Sequence, residues 1–173
     1  MNQYHLSTLE DFDQWIRLAT EVEPLFGPMV KDPRFNVGLR QAILDGNAFC
    51  IRKADSGDGK TLQGGIVVSR EANEILWFAV EEGSRGQGIG KTLLKEAIQH
   101  LDHSRPITVT TFDGSVKAGL PARRLYQKYG FNDSRPDDMN PAGIPTVVMV
   151  RSNEESRPAH APDGFQPPVI RTL

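Results

Sequence analysis

Apolar residues in this chain alternate between helical spacing and short β-favouring runs. Leu9, Phe12, Trp15, Ile16 and Ala19 form one helical stripe, and Ser7-Thr8-Leu9-Glu10-Asp11 before it supplies helix-start chemistry. Leu39, Ile43 and Leu44 are the expected inward positions of a second helix over Phe35 to Leu44. A third stripe comprises Ile89, Leu93, Leu94, Ala97, Ile98 and Leu101, with Lys91, Lys95, Glu96 and Gln99 between them. Leu120 to Tyr129 reads as a short helix, with Pro121 in its first turn and Gly130 closing it. Strands are predicted over Gln3 to Leu6, Ala48 to Lys53, Leu62 to Arg70, Glu74 to Val80, Ile107 to Phe112, Phe131 to Ser134 and Thr146 to Arg151. Prolines and Gly27 break the chain between Glu23 and Pro33, and Asp55-Ser56-Gly57-Asp58-Gly59 is a turn-rich hairpin connection. The order is that of an α+β domain: strand, two helices, three strands, helix, strand, helix, two strands.

Arg85-Gly86-Gln87-Gly88-Ile89-Gly90 joins the apolar strand Ile75 to Val80 to the third amphipathic helix. A helix that starts in a glycine-rich turn has unpaired N–H groups at an electropositive end, and glycines let a large anion approach them. Arg85 and Lys91 add charge on either side, so the stretch reads as a phosphate cradle. Gly90-Lys91-Thr92 has the ending of a P-loop, but Arg85 stands where its first glycine belongs. A dinucleotide fingerprint also fails, because its last glycine would fall on Lys91 or Leu93.

The remaining pattern, R-x-x-G-x-G at a strand-to-helix junction, resembles the acetyl-coenzyme A loop of the GNAT-type N-acetyltransferases. A second stretch, Ala122 to Phe131, resembles the family's A-x-x-L-Y-x-K-x-G-F signature at Ala122, Leu125, Tyr126, Lys128, Gly130 and Phe131. The resemblance implies a GNAT fold: a mixed, mostly antiparallel central sheet of about six to seven strands, flanked by about four helices. It implies one domain over residues 1–151, followed by a Pro-rich tail over 152–173. The activity implied is transfer of an acetyl group from acetyl-coenzyme A (acetyl-CoA) to a primary amine. In that role the Val80 backbone N–H polarises the thioester carbonyl, and Tyr126 protonates the departing thiolate. Phe78, Val80, Arg85, Gly86, Gln87, Gly88, Ile89, Gly90, Lys91, Thr92, Ala122, Leu125 and Lys128 are the implied cosubstrate-binding residues.

Two positions depart from the family. Gly119 stands where many members carry an asparagine that bonds the pantetheine arm. Leu76 and Trp77 stand around the place of a strand glutamate that serves as base. Asp113 or Glu81 are candidate substitutes, and both also read as solvated loop carboxylates. The acceptor region corresponds to Glu21 to Arg34 and Asp133 to Pro145. Glu21, Glu23, Asp32, Asp137 and Asp138 there can attract a cation, and Phe26, Met29 and Phe35 are candidate pocket residues.

Composition narrows the alternatives. The 173 residues suit one substantial core. A net charge of -2 and a pI of about 6.1 argue against a broad nucleic-acid face. No basic-then-apolar leader and no membrane-length apolar run is visible, so a cytoplasmic protein is expected. Cys50, flanked by Phe49 and Ile51, reads as a packed, inert strand thiol. His5, His100, His103 and His160 lack metal-ligand spacing, so no metal is expected. Phe165 and Val169-Ile170 in the tail leave docking on the domain, or a homodimer, open. The acceptor is a small-molecule or peptide amine. The competing readings are a noncatalytic acyl-coenzyme A-binding regulatory module and a nucleotide-binding protein built on the near-miss P-loop.

Overall fold

The computed structural model describes residues 2–54 and 61–153. Along the chain come β1 (Tyr4–Leu6), α1 (Phe12–Phe26), α2 (Pro33–Leu44), β2 (Ala48–Arg52), β3 (Leu62–Ser69) and β4 (Glu74–Val80). There follow α3 (Ile89–Gln99), β5 (Ile107–Phe112), α4 (Leu120–Lys128), β6 (Phe131–Asp137) and β7 (Thr146–Arg151). The strands form one seven-stranded sheet in the order β1-β2-β3-β4-β5-β7-β6. Among the described residues, only the β4–β5 pair is parallel. The sheet and its four helices match the expected α+β architecture. The Asp55–Gly59 connection and the tail beyond Asn153 lie outside the described residues.

Beyond shifts of one or two residues at element ends, three features differ from the sequence expectation. Helix α1 does not stop at Glu23 but runs through Pro24 to Phe26. Proline near a helix end forfeits only one internal hydrogen bond. Gly27, at φ 96°, then ends the helix, donating its N–H to the Glu23 carbonyl at 2.8 Å. Leu44 is exposed rather than inward, because the buried stripe of α2 is Leu39 and Ile43, four residues apart. Strand β6 extends beyond Ser134 to Asp137 past an irregularity between Asp133 and Arg135. It is an edge strand whose residues after Phe131 are exposed, so it carries no apolar alternation and tolerates Pro136.

Alternation along the central strands feeds two cores. Phe49, Ile51, Ile66 and Ile75 pack with α3 and with Tyr126, Phe131 and Met149 on one face. Ala48, Cys50, Leu62 and Val67 pack with Trp15 of α1 and Leu39 and Ile43 of α2 on the other. Gly65 permits this close approach: a Cβ there would lie 2.4 Å from the Trp15 ring. Trp15 in turn donates Nε1–H to Ser7 Oγ at 3.0 Å. Cys50 is fully buried, and burial pushes its thiol pKa up, which suits an unreactive packing group.

The chain start is tied down by charge. Asp11 is buried and accepts both arms of Arg52, at 2.9 and 2.8 Å, and the Thr8 N–H at 2.8 Å. This pair fastens the segment before α1 to β2. His100 stacks on Phe49 with ring centroids 4.7 Å apart, and His103 Nε2 lies 2.9 Å from the Ile98 carbonyl.

Candidate active site

The parallel β4–β5 ladder ends early. Glu74 pairs with Thr108 and Ile75 with Val109, after which β4 continues to Val80 and β5 to Phe112 without pairing further with each other. Beyond these pairs the two strands line a gap in the middle of the sheet. A bulge lies where the pairing ends: Val67 faces Trp77 and Val68 faces Ile75, so Leu76 is the extra residue on β4. Its insertion changes the phase of the strand. Ile75, Phe78 and Val80 join the core beneath α3 and α4, whereas Trp77 and Ala79 turn toward α1.

The hydrogen-bond phase beyond the bulge decides which backbone groups are free. Glu81 N–H bonds the Gln63 carbonyl at 2.8 Å. Antiparallel pairs alternate, so Ala79 opposite Gly65 is the bonded pair. Phe78 and Val80, opposite Ile66 and Gly64, therefore aim their amide groups away from β3 and into the gap. A cleft of about 940 Å³ opens there.

The glycine loop forms one end of this cleft. Gly86 and Gly88 have φ values of 74° and 81°, and left-handed Gly88 caps α3 without any side-chain bond to its first N–H groups. Gly90 keeps the floor low: a Cβ there would lie 3.3 Å from the Phe78 ring. Arg85, Gly86, Gly88, Ile89, Gly90 and Lys91 line the cleft with Phe78, Val80, Ala122, Leu125 and Tyr126. Arg85 Nε donates to the Val80 carbonyl at 3.3 Å. Gln87, Thr92 and Lys128 are not among the lining residues. The Gln87 amide bonds the Gly83 carbonyl at 3.1 Å, Thr92 enters the first helical turn through its N–H to Gly88, and Lys128 is exposed.

Tyr126 sits on the α4 side of the gap. Its ring is 6.1 Å from Phe78 and 5.6 Å from Phe131, edge to face with both. It is 3% exposed, and burial raises its pKa well above the ordinary phenol value. Among the described residues, no protein group hydrogen-bonds its hydroxyl.

The family described as acetyltransferase (GNAT) domain matches residues 35–153. The chain belongs to the GNAT acetyltransferase family. A curated relative, spermine/spermidine N(1)-acetyltransferase of Bacillus subtilis (strain 168), is 34% identical over 74 residues. That alignment covers 39% of this chain, and the chain spans only 46% of that relative's length. Among solved structures, a GNAT-family acetyltransferase from Bacillus cereus ATCC 10987 superposes with a TM-score of 0.66 at 14% identity, covering 88% of this chain and 98% of that one. Arabidopsis thaliana NAA60, solved with a bisubstrate analogue, gives a TM-score of 0.67 at 16% identity, covering 90% and 100%. Both structures share the fold.

The departures from the GNAT pattern have physical explanations. A Cβ at Gly119 would lie 2.6 Å from Phe112 Cβ, so Phe112 occupies the space that the family's asparagine side chain needs. Gly119→Asn is therefore expected to destabilise by about 1–3 kcal/mol through overpacking. It should also bring no gain in acetyl-CoA affinity, as checked by melting temperature and titration. Leu76 lines the cleft at the bulge, 57% exposed, and Trp77 packs edge-on against Phe26, so neither offers a base. Asp113 accepts the Ser115 N–H and hydroxyl, and these bonds hold its carboxyl below the usual range. Glu81 is held by Arg17 at 3.2 Å and Ser84 at 2.8 Å. Neither carboxylate lines the cleft.

Of the acidic residues of the acceptor region, Asp138 is exposed and lies off the cleft lining, and the other four are engaged. Glu21 accepts the Glu82 N–H at 2.6 Å, and Glu23 accepts those of Met29 and Val30 at 2.8 and 2.9 Å. Asp32 caps α2 and pairs with Arg34, while Asp137 accepts the Thr110 hydroxyl at 3.3 Å. Asn140 fastens the β6–β7 loop to α1 by donating to the Leu25 carbonyl at 2.8 Å. Of the candidate pocket residues, Phe26 lines the cleft. Met29 packs beneath α1, and Phe35 packs against the α2 core.

Sequence reasoning missed Arg123. This buried residue, three positions before Tyr126, donates to both Asp133 oxygens at 2.9 and 2.8 Å and to the Phe112 carbonyl at 3.2 Å. It ties α4 to β6 and to the end of β5, the two sides that hold Tyr126 at the gap. Its only sequence signal is its place on the inward face of α4.

Proposed function

We propose that this chain transfers the acetyl group of acetyl-CoA to a primary amine within the β4–β5 gap. The observation that carries the reading is the hydrogen-bond phase of β4, which leaves the Phe78 and Val80 amides unpaired by β3 and directed into the cleft. An extended pantetheine arm can bond that free strand edge as an added strand does. Its pyrophosphate then meets the N-terminus of α3 at Arg85 to Lys91. The Val80 N–H, fixed by the sheet, stabilises the negative charge that develops on the thioester oxygen.

The chemistry balances without an additional reagent. The amine nitrogen forms a bond to the carbonyl carbon, the carbon–sulfur bond breaks, and one proton passes from nitrogen to sulfur. Tyr126 supplies the O–H that meets the departing sulfur and recovers a proton through solvent. Burial, which raises its pKa, keeps it protonated at working pH. The curated relative's name, which specifies an N-acetyltransferase, supports this reaction class. So does a neighbour's fold that accommodates a bisubstrate analogue.

Leu76 and Trp77, around the place where many family members carry a strand glutamate, favour the competing reading of a noncatalytic acyl-coenzyme A module. The P-loop reading is disfavoured because Thr92, its magnesium ligand, lies off the cleft. Turnover separates the transferase from the binding module, and a thermal-shift comparison separates both from the nucleotide-binding reading. Acetyl-CoA and coenzyme A are expected to stabilise the protein by about 2.7 kcal/mol at a hundredfold excess over Kd, with no such shift from magnesium-ATP or NAD. A shift with magnesium-ATP alone would overturn the proposal.

A further inference from the structure

If the cleft transfers acetyl groups as proposed, the composition of its acceptor side selects among amines. On the face of the sheet toward α1, its wall is Val22, Leu25, Phe26, Trp77 and Phe112. The rings pack edge to face: Phe26 lies 6.0 Å from Trp77 at 75° and 5.7 Å from Phe112 at 71°. Of the polar side chains nearby, those of Asn140, Thr146 and Thr110 are already used, the Thr110 hydroxyl donating to Asp137. Asn140 donates to Leu25 and accepts the N–H groups of Ala142 and Ile144, and the Thr146 hydroxyl donates to the Asp138 carbonyl. Trp77 Nε1–H is buried without a partner among the described residues and, as a donor, offers an ammonium nothing.

Among the described residues that line the cleft, none is Asp or Glu, whereas Arg85, Lys91 and Lys117 are all cations. A polyamine brings a second and third ammonium group. Against this wall those charges would lose hydration with no carboxylate to replace it, and Lys117 would repel them. A single amine on an aromatic skeleton meets the opposite conditions. Its carbon atoms are removed from water, and its ring continues the edge-to-face packing of Phe26, Trp77 and Phe112.

We infer that the acceptor is a monoamine on an aromatic or bulky apolar skeleton, with no second cationic group. This specificity rests on acetyl transfer being the reaction. It departs from the polyamines in the name of the curated relative, whose similarity covers 39% of this chain.

The test uses the full chain with acetyl-CoA at saturation, reading coenzyme A thiol release with 2-phenylethylamine or spermidine as acceptor. The expected kcat/KM for 2-phenylethylamine exceeds that for spermidine by at least tenfold. Leu25→Glu, which places a carboxylate on the wall, is expected to lower that ratio at least tenfold while acetyl-CoA still shifts the melting temperature. Equal or greater activity with spermidine in the wild type overturns the inference and leaves acetyl transfer standing. So does turnover of neither amine by protein that binds acetyl-CoA, or a ratio unmoved in Leu25→Glu. Absence of any acetyl-CoA shift in the wild type instead refutes the underlying reading, and the inference falls with it.

Discussion

Tyr126→Phe is expected to lower kcat by about 10²-fold, the lower end of the range for a positioned proton donor. The affinity for acetyl-CoA should stay at the wild-type level. The split follows from what the substitution removes. The ring's contacts with Phe78 and Phe131 survive in phenylalanine, so the α4 wall keeps its shape. Only the O–H is lost, and no described protein group depends on it. The low end of the range is chosen because burial makes this phenol a weaker acid than usual, whereas an ordinary thiol titrates near ~8.5. Much of its effect is therefore a hydrogen bond that stabilises the developing thiolate. Steady-state kinetics with a titration of acetyl-CoA reads both quantities. Unchanged kcat would assign the proton to solvent.

Asp11→Asn should cost about 3 kcal/mol of stability, the low end for breaking a buried ion pair. The low end applies because the Arg52 side chain is 26% exposed and so keeps some hydration once its partner is neutral. In a domain of this size the loss lowers Tm by roughly 6–12 °C. The pH dependence has a definite sign. Burial raises the Asp11 pKa, but the bonds from Arg52 and Thr8 outweigh it and leave the folded value below the ordinary one. Its contribution is therefore complete above an unfolded-state pKa of about 3.9, and is lost as pH falls through the lower folded value. Wild type should lose stability more steeply than Asp11→Asn in acid below about pH 4, as measured by denaturant unfolding at a series of pH values. Parallel curves would mean that the charge on Asp11 contributes nothing.

Elements with strong periodicity were legible in the sequence. The stripe from Ile89 to Ile98 and the strand runs Glu74 to Val80 and Ile107 to Phe112 appear at the expected places, because burial dictates their pattern. Strand β6 was under-read, because an edge strand with one buried residue leaves no alternation to detect. The glycine loop and Tyr126 could be named from local motifs. The gap that unites them could not, since a bulge at Leu76 has no composition signal and shows only in the register with β3. Gly119 looked like a lost contact. Its explanation lies in Phe112, seven residues earlier on another element, and only the fold brings the two together. Arg123 escaped for the same reason: an arginine on a short helix looks solvated until Asp133 and the Phe112 carbonyl arrive from two strands.

The β4–β5 gap is proposed to catalyse acetyl transfer as well as to hold the donor. The test is incubation of the full chain with acetyl-CoA and a broad panel of amines that includes 2-phenylethylamine, quantifying N-acetylated amine by mass spectrometry and free coenzyme A thiol together. Both products are expected in equal amounts, in proportion to enzyme, and both should fall together in Tyr126→Phe. If a broad panel of amines gives no acetylated product while acetyl-CoA still raises the melting temperature, the chain is a binding module and the claim of catalysis is wrong.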